Sequence, residues 1–276
     1  MSTVLYDAPG PKGKRRILIW SIIAAAAIIG LVVFVLLQLN SRDQLDGDRW
    51  AVLLRPDLLL LFGNGLLATL QVMLFATVFS LVGGGLLAVA RLSHRGWLNR
   101  PSRVIIEVFR GLPPLLLVFF LFLGGPAIGI LVPAFWALVL GITLYNSAVL
   151  AEVFRAGVLT LPKGQTEASY AVGLTRGQTL QLVLLPQAVR HMLPAIVSQL
   201  VIILKESSLG FIVGYLELAR DGRTAIEFLG EAYSIPVYTG IAVIYITLGL
   251  LLSRLANWLS KSTERRLGRL SKEPTS

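Results

Sequence analysis

Long apolar runs alternate with short polar stretches along this chain. Six runs stand out, at about 17–39, 66–90, 104–123, 132–150, 195–214 and 236–258. Each is long enough as a helix to cross about 30 Å of hydrocarbon. The expected fold class is therefore an all-α polytopic membrane protein with six transmembrane helices. The first run follows Lys12, Lys14, Arg15 and Arg16 and so resembles a signal peptide. It is too long for a signal core, and the Leu-Gln-Leu-Asn that follows is no cleavage site.

Composition supports this class: 55% of residues are hydrophobic and 14% charged, against about 25% charged in soluble domains. A chain of 276 residues accommodates the spans and their loops, with little room for a catalytic domain. With no cysteine there is no disulfide, thiolate zinc site or thiol nucleophile. The net charge of +10 does not point to nucleic acid, because the basic residues flank the spans as topology determinants do. With a cytoplasmic N-terminus, the inner segments 1–16, 91–103, 151–193 and 254–276 hold 18 lysines and arginines. The outer loops 40–57 and 215–235 hold 5. Both termini are therefore expected in the cytoplasm. The outer loops also hold eight of the fifteen acids, among them Asp43, Asp46, Asp48, Asp57, Glu217 and Glu231.

Two helix-breaking clusters, Arg110-Gly-Leu-Pro-Pro114 and Gly124-Gly-Pro126, predict a kinked or interrupted third span. Irregular backbone there is either packed against protein or lines a wet cavity. Gly83-Gly-Gly85 predicts close helix packing. The chain has no phosphate-binding loop, no H-E-x-x-H zinc helix and no nucleophile elbow. Its two histidines, His94 and His191, read as solvated loop residues, so no catalytic residue and no metal site is assigned.

Charges within the spans offer a candidate substrate pathway. Glu107 and Arg110, three residues apart, can meet on one helical face, as a local or snorkelling pair or as part of the pathway. Lys205 and Glu206 fall midway along the fifth run, where an uncompensated charge costs at least about 2.5 kcal/mol. Pointing about 100° apart, they must each find a partner on another helix, in a wet cavity or on a substrate. Tyr145, Asn146 and Ser147 add polar groups at the end of the fourth run, as helix-end residues or as substrate contacts.

One stretch is polar where its surroundings are not. From Pro162 a short helix is expected through Glu167, Ala168 and Ala171, capped at Gly173. Thr175-Arg-Gly-Gln178 has the form of a capping box opening a second helix, which Pro186 would end or bend. The helix–turn–helix lies on the cytoplasmic face, as a docking surface or as an amphipathic hairpin bracing the bundle.

Glu167-Ala-Ser169, Gly173 and Val183-x-Leu185-Pro186 resemble the cytoplasmic signature of ATP-binding-cassette importer permeases, E-A-A-x3-G-x9-I-x-L-P. Ser169 and Val183 are conservative departures. Ala151-Glu-Val-Phe-Arg-Ala-Gly157, Pro162-Lys-Gly-Gln165, Leu204-Lys-Glu-Ser-Ser-Leu209 and Phe109-Arg-Gly-Leu-Pro113 are similar to the polar amino acid subfamily. The resemblance covers about residues 64–254, with a coupling loop at 151–193. The extra first helix and its outer loop (17–63) and the basic segments 1–16 and 255–276 lie outside it.

The resemblance implies a type I importer permease: a five-helix core plus one N-terminal helix, in the bacterial plasma membrane. It implies a second permease subunit in a heterodimer, two cytoplasmic ATP-binding subunits that hold ATP and Mg, and an extracellular substrate-binding protein. This chain itself would be no enzyme and carry no cofactor. Glu167, capping or contacting, with Ala168, Gly173, Leu174, Thr175 and Pro186, would couple it to the ATPase. Arg110, Tyr145, Asn146, Ser147, Lys205 and Glu206 would line the pathway. The basic-flanked first helix and the acid-rich outer loops resemble glutamate-importer permeases, which makes glutamate the expected cargo. The alternative is a self-sufficient secondary transporter or channel, although no inverted repeat is evident.

Overall fold

The structure, a computed structural model, describes residues 10–270; the outer parts of both basic termini, 1–9 and 271–276, lie outside the described residues. Among the described residues all regular structure is helical. The chain divides into two units, one up to Arg55 and one from Pro56. The first consists of α1 (Pro11–Asn40) and two short turns, Gly47–Trp50 and Ala51–Leu54. No residue of α1 is buried, as expected of an apolar helix whose surroundings are lipid. Beyond it, Asp46 caps the Gly47 turn by accepting from the Asp48 amide at 3.2 Å, and the Trp50 indole donates to the Gln44 carbonyl at 2.8 Å.

The second unit holds α2 (Pro56–Leu92), α3 (Gly96–Gly111), α4 (Pro114–Phe122), α5 (Ala134–Leu159), α6 (Lys163–Ala171), α7 (Arg176–Gln178), α8 (Leu185–Glu206), α9 (Leu218–Leu229) and α10 (Ser234–Leu270). Helices α1, α2 and α5 and the stretches Arg176–Phe211 and Glu231–Leu255 are long and apolar enough to cross a membrane. A sixth crossing exists only if α3 and α4 are taken together, and these meet at 97°. The third run is thus not one straight helix over 104–123. Leu112 and Pro113 are extended there, because each precedes a proline, whose ring disfavours helical geometry in the residue before it. Pro114 then opens α4, where its missing amide hydrogen costs nothing.

Helix α5 is the centre of the unit, with buried positions spread from Ala137 to Val158, and packs against α2, α3, α4 and α8. It also runs further than the fourth apolar run suggests. Arg155 and Glu152, 2.9 Å apart, satisfy each other on its surface and let the helix continue to Leu159. Two apolar clusters surround it. One joins Val72, Ala76, Val118, Leu138, Val139, Ile142, Ile203 and Val213; the other joins Ala88, Ile106, Ala148, Leu150, Ala151, Phe154 and Ile196.

The inward face of α2 shows how such packing works where lipid is as apolar as the core. Its buried positions are Leu58, Phe62, Gly65, Thr69, Val72, Ala76, Ser80, Gly84 and Ala88, one every third or fourth residue and mostly small. The larger Leu60, Leu67, Leu74, Val82 and Leu86 point outward. Small residues admit close backbone approach, so dispersion and shape hold the helices together. At Gly84 a methyl group would stand 2.8 Å from Leu150 Cβ and 3.0 Å from the Ser147 carbonyl oxygen, whereas at Gly85 it would meet nothing within 4 Å. Gly84→Ala is therefore expected to destabilise the protein by about 1–3 kcal/mol through overpacking. Gly85→Ala should leave stability unchanged or raise it by up to about 1 kcal/mol, both read from thermal unfolding in detergent.

Candidate functional site

Asn146 lies midway along α5 with no exposed surface. Its amide nitrogen donates to Glu206 Oε2 at 2.6 Å and to the Ile142 carbonyl at 2.8 Å. Its amide oxygen accepts from Gln199 Nε2. A carboxamide is suited to this position because it has both two donor hydrogens and an acceptor oxygen. Gln199 and Glu206 are seven residues apart on α8, two turns along one face, and the bridge binds α8 to α5. The two apolar clusters contribute Leu138–Ile142 and Ala148–Phe154 of α5, so Asn146 falls between them.

The residues named for the pathway do not all converge. Asn146 and Glu206 meet, and they lie at the middle of α5 rather than at the end of a span. Ser147 is buried beside Gly83, where a methyl group would stand 2.6 Å from its hydroxyl. Tyr145 is half-buried and Lys205 exposed. Arg110 is exposed at the end of α3. Among the described residues no ion pair involves Arg110 or Lys205. Glu107 does not pair with Arg110: it accepts from Arg103 Nε at 2.7 Å. The four-residue spacing brings those two side chains together before α3 ends, whereas Arg110 sits in the last turn next to the bend.

At one end of the bundle the chain between α5 and α8 forms a compact, exposed hairpin. Pro162 stands immediately before α6 in the cap position, so Glu167 does not cap the helix but is exposed along it, together with Ala168, Tyr170 and Ala171. Helix α6 ends in a Schellman motif. The Leu174 amide donates to the Ser169 carbonyl at 3.1 Å and the Gly173 amide to the Tyr170 carbonyl at 3.0 Å, with Gly173 at φ +83°. That conformation is open to glycine and strained for other residues.

Thr175 and Gln178 form a capping box. The Thr175 hydroxyl accepts from the Gln178 amide at 3.4 Å, and the Gln178 side chain accepts from the Thr175 amide at 2.9 Å. Pro186 neither ends nor breaks the second helix. A π-helical stretch, Thr179–Leu184, widens the turn before it, with the Leu185 amide donating back to Leu180. Pro186 then falls at the start of α8, where it lacks no required hydrogen bond. Gln187 Nε2 donates to Gln165 Oε1 at 3.3 Å and ties α6 to α8. The hairpin is thus rigid in backbone yet exposed, with Val172 at its tip 77% accessible.

Gln199 escapes a reading based on charge because it is neutral. The signal was an amide within an apolar run, two turns from a glutamate. Glu217 reads as a loop acid but has no exposed surface. The two histidines are exposed, and no metal-binding cluster is found among the described residues.

The helical bundle, with five apolar helices long enough to cross a membrane among the described residues and an exposed, doubly capped hairpin, defines a polytopic membrane protein. The model of binding-protein-dependent transport system inner membrane components matches residues 80–265. The chain is 38% identical over 240 residues to the glutamate transport system permease protein GluD of Corynebacterium glutamicum, covering 85% of this chain and 86% of that protein. It is 35% identical over 200 residues to the glutamine transport system permease protein GlnP of Escherichia coli, covering 70% and 89%. Among solved structures, an amino acid ABC transporter crystallised with histidines superposes with a TM-score of 0.68 at 29% identity, covering 73% of this chain and 94% of that one. The chain belongs to the family of binding-protein-dependent transport system inner membrane components, among the polar amino acid ABC permeases.

Asn146→Leu leaves the half-buried Glu206 carboxylate and the buried Gln199 amide without their shared partner. It is expected to cost about 1–3 kcal/mol of stability. Asn146→Leu should lower the thermal midpoint in detergent, whereas Tyr145→Phe, which removes no bond of this bridge, should leave it unchanged.

Proposed function

We propose that this chain is the permease of an ATP-driven importer for glutamate or a near relative of it. Cargo would arrive from an extracellular binding protein, and ATP-binding subunits docked on the 162–186 hairpin would drive the cycle. The supporting observation is the hairpin itself: an exposed surface with both helix termini capped, joined without interruption to α8. A loop held this way moves as a body, and its displacement passes to the helix that carries Gln199, Lys205 and Glu206. In this reading ATP and Mg belong to the partner subunits. The excess of lysine and arginine in the inner segments supports a cytoplasmic hairpin and cytoplasmic termini, and a second permease would complete the pathway.

The bridge gives Glu206 a structural partner, while among the described residues Lys205 has no ion-pair partner. An ammonium at the depth of the middle of α5 needs a wet surface or an anion. Lys205 therefore faces the pathway in this proposal, with Glu206, Asn146 and Ser147 shaping its wall and Tyr145 and Arg110 nearer its ends. Glutamate is favoured over glutamine by the likeness to the glutamate permease over 85% of this chain.

Glu167→Lys is expected to leave the protein inserted and stable while cutting substrate-stimulated ATP hydrolysis about tenfold or more, and Gly173→Arg to cut it likewise while costing about 1–2 kcal/mol at its left-handed backbone. Normal uptake by either variant in proteoliposomes of the full transporter would refute docking at the hairpin. Lys205→Ala should leave unfolding unchanged and reduce uptake of labelled glutamate. Stronger competition by unlabelled glutamine than by unlabelled glutamate would overturn the choice of cargo.

A further inference from the structure

At the end of the bundle remote from the hairpin, α9 packs between α2 and α10, and its first turn is organised around one buried acid. Glu217 is completely buried. Its Oε2 accepts from the Ala219 amide at 2.9 Å and its Oε1 from the Arg220 amide at 2.9 Å, which caps α9. Tyr245 of α10 donates its hydroxyl to the same Oε2 at 3.0 Å. Next to it, the Leu218 amide donates to the Thr69 hydroxyl of α2 at 3.2 Å. Capping alone does not require burial, since exposed Asp or Ser caps a helix as well. Here the cap residue also ties α9 to α10, and the Leu218 amide beside it ties α9 to α2.

Among the described residues no cation forms an ion pair with this carboxylate. The Arg220 guanidinium lies over the Phe211 ring, 5.8 Å from its centre, and the neighbouring acid, Asp221, is itself buried. Burial pushes the Glu217 carboxyl up from the usual carboxylate range, the three donors pull it back, and Asp221 adds to the rise. The surrounding packing is tight. A methyl group at Gly65 would stand 2.9 Å from Leu218 Cα, and one at Gly222 2.0 Å from Ile241 Cδ1. Such a site fits one arrangement of the helices closely and loses its hydrogen bonds when they slide. Glu217 also follows directly on α8 through the turn at Ser207–Phe211 and Gly214. The helix that starts at the hairpin ends at Glu206 and is joined to this acid by that turn.

We propose that the Glu217–Tyr245 hydrogen bond is a latch that holds α9 shut across the ends of α2 and α10, and that displacement of α8 releases it to open the outer mouth. Glu217 and Tyr245 are positioning residues here and touch no cargo. The function assigned to the latch rests on the permease reading given above.

The test uses the assembled transporter in liposomes. The chain has no cysteine, so Ala225→Cys places a single thiol on the buried face of α9. Without ATP, this thiol is expected to resist a membrane-impermeant maleimide. Adding Tyr245→Phe removes one hydroxyl, and loss of one hydrogen bond shifts a two-state balance about fivefold. Labelling should therefore run about fivefold faster, and ATP hydrolysis without the binding protein should rise by a similar factor. Glu217→Gln, nearly isosteric, should act in the same direction, because one of the two accepting oxygens becomes an NH2 that cannot accept from the donor it faces. Labelling at the parent rate in both variants overturns the latch, whatever the transport result. Absence of ATP-driven uptake by the parent assembly overturns the permease reading instead, and the labelling rates still decide the latch.

Discussion

In lipid an apolar side chain gains nothing by turning inward, and the architecture of this bundle follows from that constraint. The helices meet where small residues allow their backbones to come close, and they are fastened where polar groups find each other. Gly83 and Gly84 against Ser147 and Leu150 serve the first purpose, and the Gln199–Asn146–Glu206 bridge the second. Central α5 takes part in both. Its neighbours are arranged around it by shape, with the bridge keeping α8 in register between two apolar clusters.

The same helix, α8, links the hairpin, the polar bridge and the buried acid. It begins in the capped hairpin, carries Gln199 and Glu206 at mid-depth, and leads into the turn that buries Glu217. The π-helical turn before Pro186 keeps this path continuous where a proline would otherwise interrupt it. In the proposed cycle the bridge acts as a pivot: motion imposed at the hairpin reaches the far end of the bundle through one rigid element.

Much of this was legible in the chain itself. The caps of the hairpin were readable because capping chemistry is local: Gly173 and the Thr175–Gln178 pair satisfy backbone groups within a few residues of themselves. The break after Arg110 was readable for the same reason, since two consecutive prolines act on their immediate neighbours. Partners were harder to read. Arg103 rather than Arg110 pairs with Glu107 because of where α3 ends, and Glu217 was indistinguishable from the other acids of an outer loop.

Hydropathy, turn residues and caps act over short distances, so the order of residues is enough to specify a helical chain that crosses the membrane repeatedly and carries a folded polar hairpin. Which face of each helix turns inward, and which charges find partners, depends on the assembled bundle. A span that is apolar on every side carries no amphipathic signal to orient it. Its orientation comes from the fit of glycine, alanine and serine against a neighbouring helix, and from an asparagine whose partners lie 53 and 60 residues away.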